Sequence, residues 1–277
     1  MIKALSYHSN ARFIILCGVF VACTALAAIT TLYWLALFPF GLLLAYFGWQ
    51  QPQFIFFLLI FSLPWSFEYN INSSLGTDLP DEPFMWLATA LFIAYAFFYP
   101  EKILSGWRHP LVFLLLLHLG WIVVTVFLST DWVLSSKFFM AKGWYVIAFV
   151  LWPLLLFKNK KVIQFTALLV LLSMVLVTII CLYRHSLTGF RFATINDAVH
   201  PFFRNHVNYS AMLVCTVPLL VAVYQLNRTY RLWIFVAMGI VLAALFFSYA
   251  RGAWLALIVG LVAYWLVSSR RLLFAFI

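Results

Sequence analysis

Thirty-six consecutive residues, Phe13 to Gly48, carry no charge, and apolar runs near ~20 residues recur along the rest of the chain. A run of that length is enough to cross the hydrocarbon core of a bilayer as a helix. Inside that core no water satisfies the peptide groups, so each segment must hydrogen-bond to itself, as a helix does. The chain therefore reads as all-α, a polytopic integral membrane helical bundle forming one transmembrane domain over residues 1–277. Composition agrees and excludes a soluble domain: 66% of residues are hydrophobic and 9% are charged. The net charge of +10 then reflects Lys and Arg in short loops, not a nucleic-acid surface. Cys17, Cys23, Cys181 and Cys215 all fall in apolar runs, with no metal-site spacing and no disulfide framework, and read as ordinary buried cysteines.

About ten complete spans are expected, plus the start of another. Ala25-Leu26-Ala27 looks like a cleavage site, but the apolar run continues past it. Phe13 to Gly48 is instead read as two short spans turning near Thr30-Thr31. The third span runs from about Pro52 to Trp65, followed by the acidic loop Phe67 to Glu82. The fourth covers about Pro83 to Tyr99, and a basic loop, Pro100 to His109, leads to the fifth, Leu111 to Leu128. The sixth is Phe138 to Phe157 and the seventh Val162 to Leu182, with the basic turn Lys158 to Lys161 between them. After the polar loop Tyr183 to Asn205 come the eighth span, Val207 to Leu226, and the turn Asn227 to Arg231. The ninth, Leu232 to Phe247, and the tenth, Gly252 to Val267, are closed by Arg270-Arg271. Leu272 to Ile277 begins a further apolar run too short to cross, so the chain is expected to be cut short.

Loop charge sets an expected orientation. With the N-terminus in the cytoplasm, eleven of the seventeen basic residues lie inside, and six of the seven acids lie outside. The outer basic residues are Lys137, Lys142, Arg184, Arg191, Arg204 and Arg251. They run against the bias, which makes them the candidates for binding. Guanidinium groups take phosphate oxygens in bidentate fashion, and several around one membrane-surface pocket suit a lipid-linked diphosphate. Scattered contacts to lipid headgroups are the plainer alternative. Arg251 is the sharpest case, since it stands between two apolar segments in Phe246-Phe247-Ser248-Tyr249-Ala250-Arg251-Gly252-Ala253-Trp254-Leu255. It falls at a helix start, where free N–H groups and the dipole favour an anion. Gly252, Ala256 and Gly260 follow at four-residue spacing, which lets another backbone approach closely. An interfacial anchor would look the same.

Two stretches carry a family likeness. Pro201-Phe202-Phe203-Arg204 leads into Asn205-His206-Val207-Asn208-Tyr209-Ser210-Ala211 at the start of a span, and Ser248-Tyr249-Ala250-Arg251-Gly252-Ala253-Trp254 follows one helical hairpin later. In order, spacing and placement on one membrane face, the pair resembles the motifs of the O-antigen ligase family of bacterial membrane proteins, with residues 200–277 as the motif region. One departure is Ala250, where the family often has Ser before the Arg.

The resemblance implies a metal-independent, cofactor-free glycosyltransferase of cell-surface polysaccharide assembly. It would act at the periplasmic face of the bacterial inner membrane. Its donor would be a glycan on undecaprenyl diphosphate and its acceptor a sugar hydroxyl, that of lipid A-core in a ligase. It implies that Arg204 and Arg251 hold the diphosphate, with Arg191 and Arg184 at the rim. His206, Asn208 and Ser248 become candidates for sugar or phosphate contact. The catalytic residue is left unknown, because the family's proposed general base is a histidine in a large periplasmic loop expected beyond residue 277. O-antigen or exopolysaccharide polymerases of the same superfamily share the donor and differ in acceptor. A lipid-linked saccharide transporter fits less well, since nearly every charge lies at a span end and no internal repeat is visible.

Other polar residues read as structural. His118 lies within the fifth span, suited to an interhelical hydrogen bond, and His185 and His200 share the polar loop. Tyr209, like Asn208, is open between capping the eighth helix and touching a sugar. Pro153 and Pro218 lie inside spans, where kinks are tolerated. Glu68, Asp78, Asp81 and Glu82 are spaced irregularly and are read as a solvated loop without a metal.

The charge bias yields a topology to test. Single cysteines at Ser73 and Thr188, in a background lacking the native four, should react with a membrane-impermeant thiol reagent added from outside. Reaction at either site only after the cytoplasmic side is opened would reverse the topology.

Overall fold

A computed structural model describes residues 2–30, 33–72, 75–101, 109–226 and 228–269. Thr31, the loop basic residues Lys102 and Arg108, the turn residue Asn227, and the final stretch from Arg270 through Leu272–Ile277 lie outside the described residues. The chain is mostly helical. Helix α1 covers Ile2–Thr30, α2 Phe38–Gln50, α3 Pro52–Ser62 and α4 Asp81–Phe98. Helix α5 covers Pro110–Phe127. Helix α6 begins at Trp132–Val146 and continues through a π turn, Ile147–Leu151, into Trp152–Leu156. Helix α7 is Lys160–Ser186, α8 the short Ile195–Val199, α9 His206–Leu226, α10 Arg231–Phe247 and α11 Arg251–Ser268.

Five of these, α5, α6, α7, α9 and α11, are long and apolar enough to cross a membrane. Apolar stretches in the remaining helices, such as Leu35–Gln50 and Arg231–Phe247, are shorter. At ~1.5 Å per residue a 17-residue helix reaches about 25 Å, less than the ~30 Å hydrocarbon core. The five long helices account for five of the ten expected crossings.

Two further expectations change. The acidic loop is not irregular. Phe67–Asn72 (β1) and Leu75–Leu79 (β2) pair antiparallel, Phe67 opposite Leu79 and Glu68 opposite Asp78. The all-α reading thus gains one small hairpin. The sixth span starts six residues early, because the Asp131 carboxylate accepts the N–H of Leu134 at 3.0 Å and caps the helix. Lys137 consequently joins Lys142 on α6 rather than lying ahead of it, and the Lys142 ammonium stands 5.3 Å from the centre of the Phe138 ring. The π turn sits just ahead of Pro153, which lacks an N–H and crowds the carbonyl four residues back. The cysteines are free thiols, but only Cys181 is buried; Cys17 and Cys215 face outward.

By contacts the chain divides into two compact units: Met1–Phe56 with Leu87–Ala148, and Phe57–Trp86 with Phe149–Ile277. In the first, Phe20 meets Phe40 edge-on at 5.9 Å and Trp49 meets Phe98 at 5.5 Å. Gly48 is buried there, and a Cβ at that position would lie 2.5 Å from side-chain carbons of Ile55 and Leu91. The second unit holds the main core. Met174, Val177 and Cys181 of α7 pack with Tyr209, Leu213 and Leu220 of α9 and Val241 and Leu245 of α10. Helix α11 contributes no fully buried residue; Ala253, Trp254 and Leu257 pack against the core, and most of its other apolar side chains face outward. Exposed Leu, Phe and Trp recur on the other helices too, as on Leu232, Trp233 and Phe235 of α10. Such surface suits lipid and not water. The molecule is a membrane-embedded helical protein.

One hydrogen bond stitches distant parts of the second unit together. Ser173 on α7, fully buried, donates to the carbonyl of Phe61 near the end of α3 at 2.5 Å. Polar contacts between helices in a bilayer contribute about 0.6–2 kcal/mol. Ser173→Ala should therefore lower the melting temperature in detergent by a few degrees and Ser173→Leu by more, read by a thermal aggregation assay.

Candidate functional site

The site grows from three chain ends in the second unit: the hairpin, the polar segment between α7 and α9, and the turn from α10 into α11. Helix α9 begins cleanly because the Asn205 side chain accepts the N–H of Asn208 at 2.9 Å. Asn205, rather than Asn208 or Tyr209, thus supplies the cap. Tyr209 turns inward, buried, its ring 5.0 Å from that of Phe203. Asn208 is exposed and turns the other way.

The turn before α11 is held from both sides. Ser248 is buried; its hydroxyl donates to the Leu245 carbonyl at 2.7 Å and accepts the Ala250 N–H at 3.4 Å. Ser248 therefore shapes the turn and reaches no cavity. Tyr249 has φ of +56°, a left-handed backbone that a bulky residue enters at a cost on the order of 1–3 kcal/mol. Its hydroxyl donates to the carbonyl of Phe190 at 2.6 Å, and Phe190 is itself left-handed at φ +54°. Phe190 stacks on Phe247 at 4.1 Å, while Phe192 meets both Tyr249 and His206 edge-on at 5.6 and 5.7 Å. The segment after α7 is thereby clamped over the start of α11.

That segment uses two candidate residues as braces. Arg184 donates to the carbonyls of His200 and Asp197, closing the end of α8, so its guanidinium is committed to backbone. His185 is buried and bonds the Arg191 carbonyl at 3.0 Å. The Arg191 side chain is exposed. His206 is fixed by Asn196, whose side-chain oxygen lies 2.9 Å from both the backbone N and Nδ1 of His206. With Nδ1 donating there, Nε2 is the ring nitrogen left to accept.

Two cavities flank the first turn of α9. The first, of about 490 Å³, is an apolar groove between α9 and α11. Ala211, Val214, Ala253 and Ala256 form its walls, and His206, Tyr249 and Arg251 stand where the two helices begin. Pro218 on α9 withholds the N–H that the Val214 carbonyl would otherwise accept. Arg251 is exposed and makes no hydrogen bond or ion pair among the described residues. Ala250, the residue before α11, has no side chain with which to cap the first N–H groups of that helix. The groove thus offers a free cation and uncapped amides beside a narrow apolar channel.

The second cavity, of about 330 Å³, is polar. The hairpin supplies Glu68 and Asp78, α4 supplies Asp81, and Ser66 stands beside them. Arg204, Asn208 and the Phe202 ring close it from the other side. Arg204 bonds Glu68 at 2.7 Å, which joins the hairpin to the segment ahead of α9 on one side of the bundle. The pair is exposed, 72% and 44%, so salt and water weaken it and Arg204 stays exchangeable. Asp81 is 9% exposed. Its Oδ1 accepts from the Ser66 hydroxyl at 2.5 Å and the Glu82 N–H at 3.1 Å, and its own backbone N–H also bonds the carboxylate. Burial pushes the Asp81 carboxyl above its ordinary range, against the Ser66 bond. Burial, then Glu82 and Glu68, push Asp78 up, against the pull of Arg204. The described residues hold no group of His, Cys, Asp and Glu arranged to bind a metal ion.

Sequence reasoning put Arg204 and Arg251 on one face, and the structure brings both to the start of α9. It gives them different cavities, however. The polar cavity was missed. Its signal was present: Phe67, Tyr69 and Ile71 alternate with Glu68, Asn70 and Asn72, a strand pattern that carries Glu68 into a hairpin. No family model, curated protein or solved structure matches the chain.

A carboxyl held above its ordinary value of 3.8 keeps its proton more tightly folded than unfolded. Its stabilising contribution is complete below 3.8 and is lost as pH rises through the raised value. Asp81→Asn, which keeps an acceptor for Ser66, should therefore raise the melting temperature over the parent at about pH 7 and much less at about pH 3.5. An equal shift at both would mean the carboxyl is not strained by burial.

Proposed function

We propose that the chain is a membrane glycosyltransferase of cell-surface polysaccharide assembly, of the O-antigen ligase type. It takes a glycan from undecaprenyl diphosphate and passes it to a sugar hydroxyl, that of lipid A-core in a ligase. The observation that carries this reading is the unpaired Arg251 at the head of an apolar groove, on a helix start without a side-chain cap. An anionic head on a long apolar tail is the ligand such a groove fits: diphosphate at Arg251, isoprenoid between α9 and α11.

The chemistry follows from charge. As the acceptor hydroxyl gives up its proton to water or to a base outside the described residues, its oxygen bonds to the anomeric carbon, the bond from that carbon to the diphosphate oxygen breaks, and the diphosphate leaves with the electron pair. Negative charge grows at that oxygen, where a preorganised cation and helix N–H groups stabilise it most. Arg204, exchangeable from Glu68, stands on the other side of the same helical turn, in the polar cavity. The proposed setting is the periplasmic face of a bacterial inner membrane, with ten crossings and a cytoplasmic N-terminus.

The test is glycan transfer from undecaprenyl diphosphate by membranes holding variants at matched abundance. Arg251→Lys keeps the charge and loses the planar fork, so transfer falls; Arg251→Ala lowers it further, by about ten- to a hundredfold. If Arg204→Ala and Arg251→Ala both transfer at the parent rate, the arginines are lipid anchors and the reading fails.

A further inference from the structure

We propose that the polar cavity between the hairpin and the start of α9 is a carbohydrate subsite, which receives the hydroxyl-rich acceptor through Asp81, Asp78, Asn208 and Arg204 against the Phe202 ring. The proposal deepens the glycosyltransferase reading and rests on it for the word acceptor.

The lining has the chemistry of sugar recognition. Each sugar hydroxyl both donates and accepts. Carboxylates only accept, a guanidinium only donates, and an amide does both. Glu68, Asp78, Asp81, Arg204 and Asn208 present all three kinds in one cavity. Phe202 adds an apolar face for the ring carbons, held edge-on by Trp65 at 5.8 Å. The volume of about 330 Å³ falls at the small end of ordinary ligand sites, about 300–1,000 Å³.

The cavity also contains a carboxylate in low-dielectric surroundings. Asp81 is nine-tenths buried, its Oδ1 is bonded by Ser66 and Glu82, and its side chain lines the cavity. A hydroxyl donated to it relieves a carboxylate that burial disfavours. An amine or metal cation is the competing occupant. The described carboxylates are not grouped for a metal, and Arg204 already brings a cation among them. A neutral donor fits better.

Position supports the pairing with the donor. Asn208 faces the polar cavity, while His206 and Val207 line the apolar groove. These residues share one helical turn, about 5.4 Å of rise. An acceptor held by Asn208 and a diphosphate held by Arg251 therefore stand on two sides of the same turn.

The experiment reads sugar contact without requiring transfer. Saturation-transfer NMR on the full chain in nanodiscs uses methyl α-glucoside and N-acetylglucosamine as probes. The parent should give signal with at least one probe. Asp81→Asn and Asn208→Ala should each weaken it by about tenfold or more, and Arg251→Lys should leave it unchanged. In transfer assays Asp81→Asn should raise KM for the acceptor by about tenfold and leave KM for the donor alone. Arg251→Lys should do the reverse. An unchanged or raised melting temperature shows that Asp81→Asn is folded. If sugar contact depends on Asp81 but the parent transfers nothing, the donor reading falls and the subsite stands. No signal from either probe in the parent, or parental affinity in Asp81→Asn, overturns the subsite. So does calcium binding that Asp81→Asn abolishes, since it assigns the cavity to a cation.

Discussion

The bond from the Tyr249 hydroxyl to the Phe190 carbonyl governs where Arg251 stands. Both residues have left-handed backbones that their side chains oppose. Neither conformation persists unless its surroundings determine it. The stacked Phe190 and Phe247 rings and the Ser248 hydroxyl do so. The result is a turn of three residues between α10 and α11, with a cation at the first position of the second helix and no loop to let it wander. The buried His185, bonded to the Arg191 carbonyl, carries the same constraint back to α7.

The two cavities differ in what they demand of a ligand. The groove is apolar, and Arg251 has no partner there among the described residues, so an amphipathic anion satisfies it. The polar cavity carries more carboxylates than cations, and its deepest carboxylate is disfavoured by burial. One calls for charge, the other for hydrogen-bond donors. Helix α9 serves both because its cap, Asn205, frees Asn208 to face one way while His206, held by Asn196, faces the other.

Much of this was legible in the residues. Uncharged runs located the helices, because hydrocarbon leaves the backbone no other partner than itself. Arg251 between two apolar segments marked a fixed cation at a helix start, and the helix does begin there. The hairpin was overlooked because four carboxylates in sixteen residues look solvated, though the alternation from Phe67 to Asn72 was a strand. The early start of α6 was hidden in Asp131, a cap followed by lysines that resembled loop charge. The separation of Arg204 from Arg251 was not readable at all. It depends on Glu68, which is 136 residues away in the chain and 2.7 Å away in space.

Helix α11 buries none of its residues, although its first turns form one wall of the groove. Among the described residues, the side chains on the opposite side of that wall are exposed. For the ligand proposed above, the isoprenoid tail would therefore enter sideways, through the membrane plane, without meeting water. For such a ligand the meaningful concentration is a surface density among lipids, not moles per litre. Occupancy of the groove is then set by membrane composition and two-dimensional diffusion, and any lipid that crowds the outer face of α11 becomes its competitor.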